Sequence, residues 1–134
     1  LALHSLCDVV VIDLPTGETM LANKILNEND CRVIVTTPDD ASIRASERLM
    51  MQTTGGREQR WLIVNRAVPA YVRKGIQYDA KTVEMTLDCP LAGCIPEDDS
   101  IAFAALKGRT AVESGGPAQR ALLQLTDTLL SDIE

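Results

Sequence analysis

The sequence predicts an α/β domain built as a mostly parallel sheet with helices on both faces. Three observations lead there. Four short runs, Val9–Ile12, Val33–Val35, Trp61–Val64 and Leu91–Ile95, are largely apolar without alternation, as strands covered on both faces must be. The segments between them have the length and period of helices, which is the βαβ arrangement. Hydrophobic residues make up 46% of the 134 residues but aromatic ones only 3%. The core must therefore come from Leu, Ile, Val and Ala, which suit helices layered on a sheet.

The elements follow in order. Val9-Val10-Val11-Ile12 is the first expected strand, ending in Asp13 and a turn through Pro15 and Gly17. Val33–Val35 is the second. Behind it, Thr37 offers a capping hydroxyl, Pro38 suits the first helical position, and Asp39 and Asp40 place carboxylates in the first turn. Ile43, Ala45, Leu49 and Met50 recur at helical spacing until Gly55-Gly56. Trp61–Val64 is the third strand, then a loop and a helix lead to Leu91–Ile95. Asp98 or Asp99 caps the next helix, with Lys107 in its last turn and Gly108 beyond. Pro117 opens the final helix, whose stripe of Ala121, Leu122, Leu125, Leu129 and Ile133 should pack on the sheet rather than on lipid. The expected order is β-α-β-α-β-loop-α-β-α-α. No repeat or linker divides it, so residues 1–134 form one unit.

Charge and cysteine usage narrow the function classes. A net charge of −6 argues against a broad nucleic-acid footprint, because phosphate binding needs a positive surface. The small basic group Arg57, Arg60, Arg66, Arg73 and Lys74 reads as an ordinary solvated edge. Cys7, Cys31, Cys89 and Cys94 show no C-x-x-C spacing and His4 is the one histidine, so a zinc site is poorly supported. Cys7, Cys31 and Cys94 lie in or beside apolar runs and are expected to be small buried hydrophobes. A reducing cytoplasm fits such thiols. No apolar run approaches the ~20 residues that span a bilayer.

The candidate chemistry gathers where strands end. Ligands in open α/β sheets bind at the carboxyl ends of the strands. Asp13 there suits holding Mg²⁺ through water, and Gly17 lets a backbone N–H approach a phosphate. Asn65 carries both a donor and an acceptor, the chemistry for a base edge such as adenine. Pro96, Glu97 and Asp98 follow the fourth strand. Each residue taken alone also reads as an ordinary turn or cap. Together they make a nucleotide-sized site conceivable.

These same residues carry a family resemblance. Val-Val-Val-Ile-Asp-Leu-Pro-Thr-Gly (Val9–Gly17) resembles the Walker B and switch II segment of the MinD/ParA family of P-loop ATPases. Val33–Arg44 is similar to that family's next strand and helix start, and Leu62–Arg66 to its adenine-reading strand end. Residues 73–112, through Leu91-Ala-Gly-Cys-Ile-Pro-Glu-Asp98, are most like its MinD-like members, and the similarity is collinear over nearly the whole chain. The resemblance implies a partial P-loop NTPase fold of the SIMIBI type, the C-terminal part of such a domain. Asp13 would help hold Mg²⁺ and Gly17 would sense the γ-phosphate. Asn65, with Arg66 beside it, would read adenine, and Pro96, Glu97 and Asp98 would wall the base or ribose. ATP, Mg²⁺, homodimerisation and protein partners come with the family, as does the placement of division sites, plasmids, flagella or pili.

Two features depart from that pattern. No G-x-x-x-x-G-K-S/T loop occurs in the sequence, so nothing cradles the phosphates and this chain is not expected to hydrolyse ATP. The sequence closes on Ser131-Asp132-Ile133-Glu134, where a membrane-binding tail would be basic. The expectation is a piece of a longer bacterial, cytoplasmic protein, peripheral to the inner membrane only if a tail follows. With its neighbouring strand absent, the Val9–Ile12 edge is expected to pair with another chain. The alternative is a degenerate scaffold that acts through protein–protein contacts. A self-contained α/β domain without a nucleotide link is a third reading.

Overall fold

The computed structural model describes residues 6–15, 24–25, 30–53 and 60–131. Within them β1 (Arg32–Thr36), α1 (Asp40–Gln52), β2 (Arg60–Ala67), α2 (Pro69–Arg73), α3 (Ala80–Leu87), β3 (Leu91–Pro96), α4 (Asp99–Leu106), a 3₁₀ turn (Ala111–Glu113) and α5 (Pro117–Ser131) follow in order. The three strands are parallel, in the order β1-β2-β3. Arg32 lies opposite Arg60 and Thr36 opposite Val64. Across β2 and β3, Leu62 meets Leu91 and Ile63 meets Gly93.

Alternation along the strands sorts the core. Ile34, Leu62 and Val64 face one side and pack with Ile43 of α1, Val83 and Leu87 of α3, and Cys89. Ile63 and Gly93 face the other. There a Cβ on Gly93 would stand 2.9 Å from Leu125 Cδ1, so the glycine is what lets α5 lie close on β3. Helices thus lie on both faces, as the sequence predicts, although α5 covers the second face at β3 and leaves Val33 and Val35 of β1 exposed. Each fully buried Leu or Val contributes about 1.5–3 kcal/mol, against about 1 kcal/mol for a helix cap. The aliphatic layer therefore decides the fold, and the caps decide where elements stop.

Several expectations are corrected. Val9–Ile12 is not a strand: it pairs with none of the three, and Val9, Val11 and Ile12 are exposed. β-branched residues favour a strand only where a neighbour completes the ladder and covers a face. The edges of the described sheet are β1 and β3, so Val9–Ile12 forms neither of them. The cap of α1 is Asp39 rather than Thr37. Ser42 N–H donates to Asp39 Oδ1 at 3.0 Å, and the Thr37 hydroxyl donates to Asp39 Oδ2 at 2.5 Å. Pro38 sits buried ahead of the cap. α1 stops at Gln52, and Gly55-Gly56 lie outside the described residues. Part of the segment read as loop is α2, opened by Pro69. Lys107 is the C-cap of α4 rather than part of its last turn. Cys7, Cys31 and Cys94 are exposed while Cys89 is buried. An apolar neighbour in sequence is no guarantee of a covered face.

Candidate functional site

Parallel strands share polarity, so Thr36, Asn65 and Pro96 are delivered toward one rim. An open groove of about 500 Å³ runs there between β1 and α1. Thr36, Thr37, Ser42, Ser46 and Asn65 give it hydroxyls and an amide, and Arg48 gives it a cation. Thr37 is held by hydrogen bonds to Asp39 and to Ser42 Oγ. The Asp39 carboxyl is held below its ordinary range, first by the Thr37 hydroxyl and then by Ser42 N–H, against a smaller upward push from burial. A second depression, about 260 Å³ between Met50, Arg60 and Leu87, involves the opposite, amino end of β2 and is unconnected with these residues.

The end of β2 is unusual. Arg66 has φ of 59°, a left-handed conformation that is uncommon for a bulky residue and is kept only where its surroundings hold it. Three contacts do so. Its N–H donates to Asn65 Oδ1 at 3.0 Å. Its guanidinium Nε donates to Glu97 Oε2 at 2.6 Å, which also raises its pKa above the ordinary arginine value. Gln77 then clamps the backbone that follows, on both sides of Ala67, accepting from Val68 N–H at 2.8 Å and donating to the Arg66 carbonyl at 3.3 Å. Glu97 N–H donates to the Ala67 carbonyl at 3.0 Å, tying the end of β3 to that of β2. The Arg66–Glu97 pair is solvent-exposed and stabilises little by itself. Its role is to fix geometry.

Asp98 is committed twice. One oxygen accepts from Ser100 N–H at 2.9 Å and caps α4, and the other accepts from Ala118 N–H at 2.9 Å at the start of α5. Its carboxyl is therefore held low, first by Ala118 N–H, then by the Ser100 side chain and N–H. Gly116 makes room for this, since a Cβ there would run into the Asp98 carboxylate and the Ser100 hydroxyl.

Among the predicted site residues, the structure brings Asn65, Arg66, Pro96, Glu97 and Asp98 to one rim, with Asn65 half-buried in the groove. Asp13 is exposed in the unpaired N-terminal segment and makes no hydrogen bond or ion pair among the described residues. Gly17 lies outside the described residues. No three His, Cys, Asp or Glu side chains among the described residues cluster as a metal site. Within the basic group, Arg60 is spoken for by the Met50 and Thr53 carbonyls at the end of α1, while Arg57 is outside the described residues. Sequence reasoning missed Gln77 and the groove hydroxyls. Gln77 works on a backbone nine positions away, and no local signal could have marked it.

A parallel sheet with helices on its faces and polar side chains gathered at the carboxyl ends of its strands is the open α/β architecture to which the P-loop NTPases belong. The comparisons agree. The chain is 30% identical over 140 aligned positions to the septum site-determining protein MinD of Helicobacter pylori, covering 98% of this chain and 52% of that protein. Its fold matches the MinC:MinD cell division protein complex of Aquifex aeolicus with a TM-score of 0.65, at 23% identity, over 76% of this chain and 43% of that one. It also matches the Pyrococcus horikoshii MinD complexed with Mg-ADP, with a TM-score of 0.56 at 23% identity, over 76% and 43% of the two chains. No family model matches the chain. The chain belongs to the MinD-like family of P-loop ATPases, and it spans about half the length of the relatives it matches, 52% in the first case.

Proposed function

We propose that this chain is the adenine-facing part of a MinD-like ATPase that places the cell-division site, working in the cytoplasm and meeting the membrane only through a further segment. The carrying observation is the rim itself. Asn65 stands half-buried at the groove with an amide N–H pair that has no partner among the described residues, and Arg66 and Glu97 are locked beside it. Asn65 would donate to a ring nitrogen of adenine, while Arg66, Pro96 and Glu97 would bound the base or ribose. Asp98 acts from behind, holding α4 and α5 in register with that wall. The related MinD that carries Mg-ADP supports ATP and Mg²⁺ as the ligands. Asp13 would supply one carboxylate toward the metal and the phosphates the rest, with Gly17 near the γ-phosphate. Dimerisation around nucleotide and a protein partner follow the same reading, and the MinC:MinD complex supports the partner.

The sequence holds no phosphate-cradling G-x-x-x-x-G-K-S/T loop, so the chain by itself offers ATP only contacts to its adenosine part and releases no phosphate from it. The alternative is a scaffold that has kept the rim as shape alone. Titrating ¹⁵N-labelled chain with adenosine separates the two. Shifts confined to Asn65, Arg66 and Glu97, absent with guanosine and lost in Asn65→Ala, are the expected result. Saturating adenosine without a shift at those amides would leave the scaffold.

A further inference from the structure

α4 is apolar all the way round and yet mostly uncovered. Ala104 is its one buried residue. Ala102 and Ala105 are exposed, Phe103 is 65% exposed and Leu106 is 86% exposed, with Val112 beside them at 44%. A helix of this composition normally has both sides covered. Adjoining large apolar side chains exposed to this degree mark a contact surface.

The charges at its two ends identify what covers it. Asp99 opens the helix and Lys107 closes it. Both are exposed, and neither has a hydrogen-bonding or ionic side-chain partner among the described residues. Asp99, Phe103, Leu106 and Lys107 fall at i, i+4, i+7 and i+8, which is one stripe of a helix. Phe103 stands midway, four residues from each charge. A second copy laid antiparallel on this stripe, with the two-fold axis at Phe103, stacks Phe103 on Phe103. Each Asp99 then meets the other copy's Lys107. Opposite charges at equal distances from an apolar centre are complementary to themselves, which is the requirement of an isologous interface. A chain of net charge −6 repels its own copies in general, so a face that sets cation against anion is where two copies can meet.

We propose that the α4 face is a self-docking surface that pairs two copies of this chain, separate from the nucleotide rim. The test is the molecular mass of the full chain across a concentration series by sedimentation equilibrium, with circular dichroism to confirm folding. The wild type is expected to dimerise. Phe103→Gln should weaken the dimer about 10-fold or more, as loss of a central aromatic anchor does. Asp99→Lys and Lys107→Asp should each weaken it about 3–10-fold, since each sets two like-charged contacts across the interface. The double exchange should recover to within about 3-fold of wild type. Both exchanges oppose the α4 dipole, so recovery cannot come from the helix itself. A wild type that stays monomeric at its solubility limit would overturn the proposal, as would an unchanged Phe103→Gln or a double exchange no better than the singles. A dimer lost in Val35→Lys but kept in Phe103→Gln would assign pairing to the β1 edge instead, and would equally overturn it.

Discussion

Gln77 offers the sharpest check on how the rim is held. Its side chain accepts from Val68 N–H at 2.8 Å and donates to the Arg66 carbonyl at 3.3 Å, bracketing Ala67 and holding the carbonyl of Arg66, the one residue of β2 with a left-handed backbone. Gln77→Ala removes both bonds. A well-made neutral bond contributes about 0.5–1.5 kcal/mol net, and the longer one less. Val68 is half-buried, so water reaches its freed N–H only partly, and the sum is about 1–2 kcal/mol. For a chain of 134 residues the usual unfolding entropy converts that to a drop in Tm of about 4–7 °C. Gln77→Glu keeps the acceptor for Val68 and loses only the weaker donor, so it should fall between Ala and wild type. Urea unfolding followed by circular dichroism measures all three, and the Asn65 and Arg66 amide shifts report the rim. A Gln77→Ala chain within about 0.5 kcal/mol of wild type, with those amides unmoved, would show that the clamp is incidental.

Three other outcomes follow from the same geometry. Leu62→Ala should cost about 2–5 kcal/mol in chemical denaturation, because Leu62 is fully buried between α1 and α3 and the cavity cannot fill. Arg60→Met keeps the stem but loses the bonds to the Met50 and Thr53 carbonyls, so amide exchange should rise in the last turn of α1 with a loss of about 1–3 kcal/mol. Asp98→Ala should release the Ser100 and Ala118 amides together in hydrogen exchange, and Gly116→Ala should imitate it by pushing the carboxylate aside. The sign with pH is fixed. The folded Asp98 carboxyl lies below its unfolded value, chiefly through Ala118 N–H, so its stabilisation is complete above about pH 4 and fades as pH falls through the folded value. The gap between wild type and Asp98→Ala should therefore close in acid.

The three paired strands were legible because their apolar runs lack alternation, and each observed strand contains its expected run, even though Val33 and Val35 of β1 stay exposed. Asp98 was legible as a cap for a similar reason, since few residue types satisfy helix N–H groups. Val9–Ile12 misled because its residues state a preference for a pleated surface, while a strand also needs a partner that sequence cannot supply. Thr37 and Asp39 were confused for a subtler reason. Both can cap, and the choice depends on whether Pro38 is inside the helix or buried ahead of it. At the site, Asn65 and Glu97 announced themselves by following strands. Gln77 and the left-handed turn at Arg66 did not, because both arise from contacts that close only when the loop after α2 folds back on β2.

The four thiols divide into three that solvent touches and one, Cys89, enclosed by Ile34, Val64 and Val83. That asymmetry makes the molecule its own clock. A thiol-specific reagent meets Cys7, Cys31 and Cys94 at once, whereas Cys89 reacts only during the moments when α3 lifts from the sheet. The slow fourth modification, counted by mass, therefore reads how often the aliphatic layer opens under native conditions, without denaturant and without an added probe.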